Sequence, residues 1–358
     1  MKLTEEQAKR IDLSRIEDAY MAAEYLARKF SVKGRYLADE AWGPEGNLYL
    51  AESSWALMDA YLINENEQYL KAVKAILIEL KRIQKPDGSW AIELGTSGVG
   101  FKVTEEERKD SAEKVDPPTT AAMLRIISEY QKITKDYTYQ KMGEKAFKYL
   151  MNFWDPEVGT FIEKEKRKLL DLRSNPYSYH IFFLLGINAW KDIAPEETMA
   201  VLPQLLEFVK GTFEKFDDHT MPLIYALHAA TLMEFCSTDY TENVIKPRIK
   251  DHLVYSPVFK VKEVPGGYFH RDGSRGIVTN EIHMRSCVGI ALAMRKYDIV
   301  SETKFFQDTQ AYKDLSGWID QMKSDKYYFE YETLPERKKI GYGSPGQYLP
   351  CYWILGKF

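Results

Sequence analysis

Apolar positions recur along this chain at helical spacing, and the polar breaks between them recur as well. Ala19, Ala22, Ala23, Leu26 and Phe30 share one face of a helix predicted over residues 17–30. A loop with Trp42-Gly43-Pro44-Glu45-Gly46-Asn47 precedes a second helix, from near Glu52 to Leu62. A third, residues 69–83, is amphipathic and stops at Gln84-Lys85-Pro86-Asp87-Gly88-Ser89-Trp90. Pro86 cannot continue a helix, Asp87-Gly88 is turn chemistry, and Trp90 is a large apolar anchor beyond it. The alternation of a more apolar and a more amphipathic helix then continues. Residues 116–130, opened by Pro117-Pro118, pair with 139–153; 176–190 with 196–213; 222–235 with 241–253; and 280–297 with 309–322. Residues 346–355 close the chain and partner the first helix.

Variants of the same turn fall near Trp42, Trp90, Phe161, Asp218, Phe269 and Phe329, at spacings of 48, 71, 57, 51 and 60 residues. A period of this size marks an array of supersecondary units. Twelve helices in six hairpins predict an all-α fold, an (α/α)6 toroid occupying residues 1–358 as a single domain, with a few short strands in its turns. The apolar helices form the inner ring and the amphipathic ones the outer. An open α-solenoid is the rival; unequal repeats and terminal helices without polar caps speak against it. Residues 91–115, with Gly95, Gly98 and Gly100 followed by charged residues, are long for a connection inside a domain. They lack Walker spacing and are read as a lid loop.

Composition narrows the partners. The net charge of −4, with both signs interspersed, excludes nucleic acid as a main partner. The longest apolar run, 181–190, is too short to span a bilayer. Cys236, Cys287 and Cys351 show neither zinc nor redox spacing and are expected as buried thiols. No metal or cofactor is implied. Met1-Lys2-Leu3-Thr4-Glu5-Glu6 turns acidic at once: a native Met1 implies a cytoplasmic protein, a trimmed leader an exported one. The 24 Tyr, 17 Phe and 7 Trp fit either a helical core or a cleft lined with rings.

Gln84-x-x-x-Gly88-x-Trp90 resembles the QW motif of squalene and hopene cyclases, and Pro265-Gly266-Gly267-Tyr268-Phe269 resembles the related turn of many toroid enzymes. The resemblance is to the (α/α)6-toroid superfamily: terpenoid cyclases, prenyltransferase β-subunits, glycoside hydrolases, polysaccharide lyases and sugar epimerases. It implies the fold more than the reaction. Asp-x-Asp-Asp of class II cyclases is absent, since Glu214-Lys215-Phe216-Asp217-Asp218 lacks the first aspartate. Asp-Asp-x-x-Asp is absent too, and prenyltransferase zinc ligands find no place.

The toroid arrangement implies that each turn feeds the N-terminus of an inner helix, so the N-termini face one mouth and favour anionic groups. Polar residues at those starts are the candidates. Tyr179, His180, Asn280, His283 and Arg285 are the candidate catalytic set. Asn175, Tyr177, Asp218, His219, Glu281, Tyr342 and Gln347 are candidate substrate contacts. Structural readings stand beside these: Asn175 as an N-cap before Pro176, and Glu281 with Arg285 as an i,i+4 ion pair. Asn, Arg, His and Tyr together suit β-elimination of uronic acids. An Asn or Arg neutralises the carboxylate while Tyr or His removes the neighbouring proton. A polysaccharide or oligosaccharide lyase is therefore the leading expectation. A glycoside hydrolase, including one for unsaturated uronides, is the alternative, with Asp217-Asp218 opposite Asp116, Glu52 or Glu281. An epimerase using His180 and His283, a cyclase-like enzyme and a non-catalytic scaffold complete the set. The scaffold predicts a mouth filled by side chains, without a charged cluster.

Overall fold

The computed structural model describes residues 11, 13–30, 47–90, 117–162, 180–215, 222–249, 251, 317, 330–333, 338–343, 351 and 355. The chain divides into two compact units, Met1 with Leu26–Glu214, and Lys2–Tyr25 with Lys215–Phe358. Helix α1 (Ile16–Phe30) follows a 3-10 turn, Leu13–Arg15, and contributes its end to the first unit. The remaining described helices of that unit are α2 (Asn47–Asn64), α3 (Glu67–Ile83), α4 (Pro117–Thr134), α5 (Gln140–Met151), α6 (His180–Trp190) and α7 (Pro195–Lys215). Strands β1 (Trp154–Asp155) and β2 (Thr160–Phe161) pair antiparallel between α5 and α6. The second unit holds α8 (Pro222–Phe235) and a helical run whose middle, Thr241–Ile245, is π-helical. It also holds an antiparallel hairpin, β3 (Glu330–Thr333) with β4 (Lys338–Gly343).

Two kinds of helix alternate in the first unit, as the pattern of apolar residues requires. Residues 50–60 of α2, 119–128 of α4 and 180–187 of α6 are buried without interruption. Each run exceeds two helical turns, so every face is covered. Helix α3 instead buries Tyr69, Leu70, Val73, Ile76, Leu77 and Leu80 and exposes Lys71, Lys74, Lys81 and Arg82. Helix α7 buries a narrower stripe: Thr198, Val201, Leu205, Val209 and Phe213. Helix α2 packs on α3 and α4, and α4 on α5 and α6. The apolar helices thus sit next to one another, flanked by the amphipathic ones. At Gly186 a Cβ would strike the carbonyl oxygen of Ala121, so the backbones of α6 and α4 touch.

The link inside each hairpin is built the same way twice. Glu65 and Lys135 adopt positive φ, 56° and 60°, and their N–H groups bond back to Tyr61 and Gln131. The next residues, Asn66 and Asp136, each accept from the N–H two positions on, and their own N–H groups donate to Asn64 and Thr134 side chains.

At the far end of α3 the Gln84–Trp90 turn is a clasp. Gln84 Nε2 donates to Gly88 O and to Met142 O of α5, both at 2.9 Å. Trp90 is fully buried and its Nε1 donates to Leu80 O at 2.9 Å. Gly88 needs its glycine twice: φ is +97°, and a Cβ would strike the Lys145 carbonyl of α5. Asp87 closes the loop by accepting from Ser89 N and Oγ. Burial pulls the Asp87 carboxyl up, but the Ser89 hydrogen bonds, with Lys85 nearby, outweigh it and hold it below the ordinary 3.8.

Two expectations shift. Helix α2 begins at Asn47 rather than near Glu52, because Leu50 and Ala51 already continue the apolar register. Glu52 and Ser53 therefore lie in its second turn. Cys351 is buried, its Sγ directed at Ala19 O, whereas Cys236, at the polar end of α8, is only half-buried. The lid loop and Cys287 fall outside the described residues.

Candidate active site

His180 is the member of the sequence-derived catalytic set whose side chain the structure describes. It opens α6, is 5% exposed, and its Nδ1 lies 2.6 Å from Thr160 Oγ1. The rings of Phe183 and Phe208 lie 5.3 and 5.0 Å away. Thr160 follows the positive-φ Gly159 in the second copy of the turn. The contact therefore ties the exit of a turn to the start of the apolar helix that follows. The first copy has a counterpart, with Trp90 N lying 3.5 Å from Thr120 Oγ1 near the start of α4. The hydroxyl also sets the imidazole tautomer. If Thr160 donates, Nδ1 is the acceptor and Nε2 carries the proton; if it accepts, the proton sits on Nδ1.

Tyr179, Asn280, His283, Arg285, Asn175, Tyr177, Asp218, His219, Glu281 and Gln347 lie outside the described residues. Tyr342 lies in β4, where the backbone alone is described. His228 is fully buried in α8 of the second unit. Among the described residues no group of His, Cys, Asp and Glu is arranged to hold a metal ion.

The structure brings together a second set that the sequence reading largely missed. On α4, Arg125 lies with its guanidinium 4.4 Å from the centroid of Trp55 on α2. Its Nε donates to Glu129 Oε1 at 2.8 Å. Phe182 of α6 approaches the same indole at 6.1 Å. Glu52 and Asp59, three residues before and four after Trp55, fall on the Trp55 face of α2 and are 7% and 2% exposed. Glu129 is the one residue between 119 and 131 of α4 that is not fully buried. A guanidinium and carboxyl groups thus stand on two buried helices, beside the neutral polar residues Ser53, Ser54, Thr119, Thr120, Ser128 and Gln131. Placing charge there is expensive unless it is paired and hydrogen-bonded, and an indole beneath a desolvated guanidinium adds about 2 kcal/mol of attraction. The signal is present in the text: Glu52, Trp55 and Asp59 at i, i+3 and i+7, and Arg125 and Glu129 at i and i+4, inside apolar helices. Of these the sequence reading marks Glu52 alone, as a carboxylate across the mouth.

Two tyrosines, Tyr130 near the end of α4 and Tyr139 at the start of α5, meet edge-on at 6.0 Å. Burial first, then Asp136 for Tyr130 and Tyr130 for Tyr139, pushes both phenols up, so both remain protonated at neutral pH.

No protein-family model matches the chain. No curated protein matches it. Solved structures do, nearly end to end. Cellobiose 2-epimerase from Bacillus thermoamylovorans B4167 aligns with a TM-score of 0.62 and 12% identity, covering 96% of this chain and 98% of that one. The GH76A α-1,6-mannanase of Salegentibacter sp. HEL1_6 aligns at 0.58 and 10%, covering 95% and 98%. The type II terpene cyclase MstE from Scytonema, as a single-residue variant without ligand, aligns at 0.53 and 12%, covering 96% of each. The fold is that of the (α/α)6 toroid enzymes, an all-α class. At these identities the likeness fixes the fold and leaves the reaction open.

Proposed function

We propose that this chain is a carbohydrate-active enzyme of one toroid domain, which epimerises or isomerises a sugar by moving a proton at the carbon beside its carbonyl group. The observation that carries the reading is the Arg125–Glu129–Trp55 set, with Glu52 and Asp59, on two buried helices. The reaction class is taken from the cellobiose 2-epimerase among the matching structures; the fold alone, shared with a mannanase and a terpene cyclase, does not choose it.

In this reading His180 and His283 are the acid–base pair that removes and returns the proton. Tyr179, Asn280 and Arg285 stabilise the charge that develops on the carbonyl oxygen. Asn175, Tyr177, Asp218, His219, Glu281, Tyr342 and Gln347 contact the rest of the sugar. Because Nδ1 of His180 is engaged by Thr160, Nε2 is the nitrogen assigned to the proton.

A lyase is the second reading, favoured by the same Asn280, Arg285 and Tyr179 in the sequence. It shares the first step, proton removal, and differs in losing a leaving group afterwards. Incubation in heavy water with reducing sugars such as cellobiose and D-mannose, and with uronate oligosaccharides, separates the readings. Deuterium at the reacting carbon of an epimer or ketose product supports the proposal. Ultraviolet absorbance from an unsaturated product moves the assignment to a lyase, and new reducing ends without deuterium move it to a hydrolase.

A further inference from the structure

We infer that the outward stripes of α3 and α5 form one docking surface for an anionic lipid bilayer. The inference goes beyond the proposed reaction and does not depend on it.

Both helices bury one face and turn a stripe of residues outward. On α3 the stripe carries Lys71, Lys74, Ile78, Lys81 and Arg82, with Glu67 at its start. On α5 it carries Lys141, Lys145 and Lys148, with Glu144 among them. The two stripes adjoin. Lys74 Nζ lies 3.2 Å from Asp136 in the link before α5, Gln84 donates to Met142 O, and the backbone of Gly88 meets the Lys145 carbonyl. Residues 67–88 and 135–148 hold nine basic side chains against five acidic ones, in a chain whose net charge is −4. Amphipathic helices at the surface do not require this excess, since α7 holds four glutamates against two lysines. Two ion pairs, Lys74–Asp136 and Arg82–Glu79, take up part of the charge. Lys71, Lys81, Lys141 and Lys145 form no ion pair with another described residue. Such a face raises the local concentration of anionic groups.

Two large apolar side chains stand out from the same surface, Ile78 and Tyr137, each 57% exposed. Ile78 lies one turn beyond Lys74, and Tyr137 directly follows the Asp136 that Lys74 binds. A tyrosine ring suits the headgroup level of a bilayer, and an isoleucine gains by leaving water beside it. Lysines need no fixed geometry against lipid headgroups, and each one near an anionic membrane strengthens partitioning about fivefold. A folded protein partner fits less well. Protein interfaces favour arginine and disfavour lysine, and the single arginine of these two segments, Arg82, is engaged by Glu79.

Vesicle co-sedimentation of the full chain tests this, comparing pure phosphatidylcholine with phosphatidylcholine containing roughly one-quarter phosphatidylserine. Folded wild type is expected to bind the anionic vesicles at least about tenfold better than the neutral ones, and to be released as ionic strength rises. Lys71→Ala combined with Lys81→Ala is expected to weaken binding about thirtyfold. Lys210→Ala combined with Lys215→Ala removes the same charge from α7 and is expected to change binding less than about twofold. Ile78→Ser is expected to weaken it about threefold. The melting temperature of each variant is the folding control. No binding of folded wild type to anionic vesicles, equal binding to both compositions, or equal losses in the two lysine pairs overturns the inference. Retention on heparin without vesicle binding assigns the face to a soluble polyanion and overturns it as well. Deuterium exchange into sugars is measured without vesicles, so the proposed reaction stands or falls separately.

Discussion

The two described copies of the inter-repeat turn, Gln84–Trp90 and 155–161, use one backbone device with different side chains. Each places a glycine at positive φ, +97° at Gly88 and +82° at Gly159, against the next amphipathic helix, α5 or α7. The first adds an amide bridging to Met142 and an indole bonded to Leu80. The second uses Asp155 as acceptor for Glu157 and Gly159 N–H groups, a Phe161 ring against Trp154 and Phe183, and the Thr160–His180 contact. The repeat is thus kept within the molecule as a backbone path, while residue identity drifts between copies. That drift is compatible with an end-to-end fold match at 10–12% identity.

The largest expected effect breaks the closer contact. Gly88→Ala meets both a left-handed backbone and the Lys145 carbonyl, and is expected to destabilise by about 3 kcal/mol in denaturant titration. Gly159→Ala meets its nearest atom, Gln204 O, at 3.3 Å, so its loss is set mainly by φ, about 1–2 kcal/mol. Equal losses at the two sites would mean that the close approach at Gly88 carries no energy.

Gln84→Ala comes next. It removes two side-chain hydrogen bonds, one of them between repeats, and is expected to lower stability by about 2 kcal/mol. In the second copy Thr160→Val removes the hydroxyl partner of His180, with an expected loss of about 1 kcal/mol. If His180 handles the proton, the same variant also moves the pH profile of turnover, which a purely structural hydroxyl would not do.

The smallest effect concerns pH. Asp87 has its folded-state carboxyl held below 3.8, so its contribution is present above that value and is lost as pH falls through the folded-state value. The difference in melting temperature between wild type and Asp87→Asn should shrink on acidification below 3.8; a constant difference would show that the charge of Asp87 does not contribute.

The sequence by itself determined the alternation of apolar and amphipathic helices, the position of each described turn and the assignment of Trp90 to a clasp. These are local matters: helical periodicity, proline, glycine and short polar side chains act within a few residues. It also put His180 in the apolar helix of residues 176–190, and His180–Trp190 is helical in the structure. It did not disclose that α2 starts at Asn47, because helix ends depend on what covers them. Nor did it join Arg125 to Trp55. That meeting is decided by how α2, α4 and α6 lie side by side, with Gly186 letting α6 touch the backbone of α4. Periodicity says which residues share a face of one helix. Only tertiary packing decides which faces meet, because that depends on close contacts between residues distant in the chain.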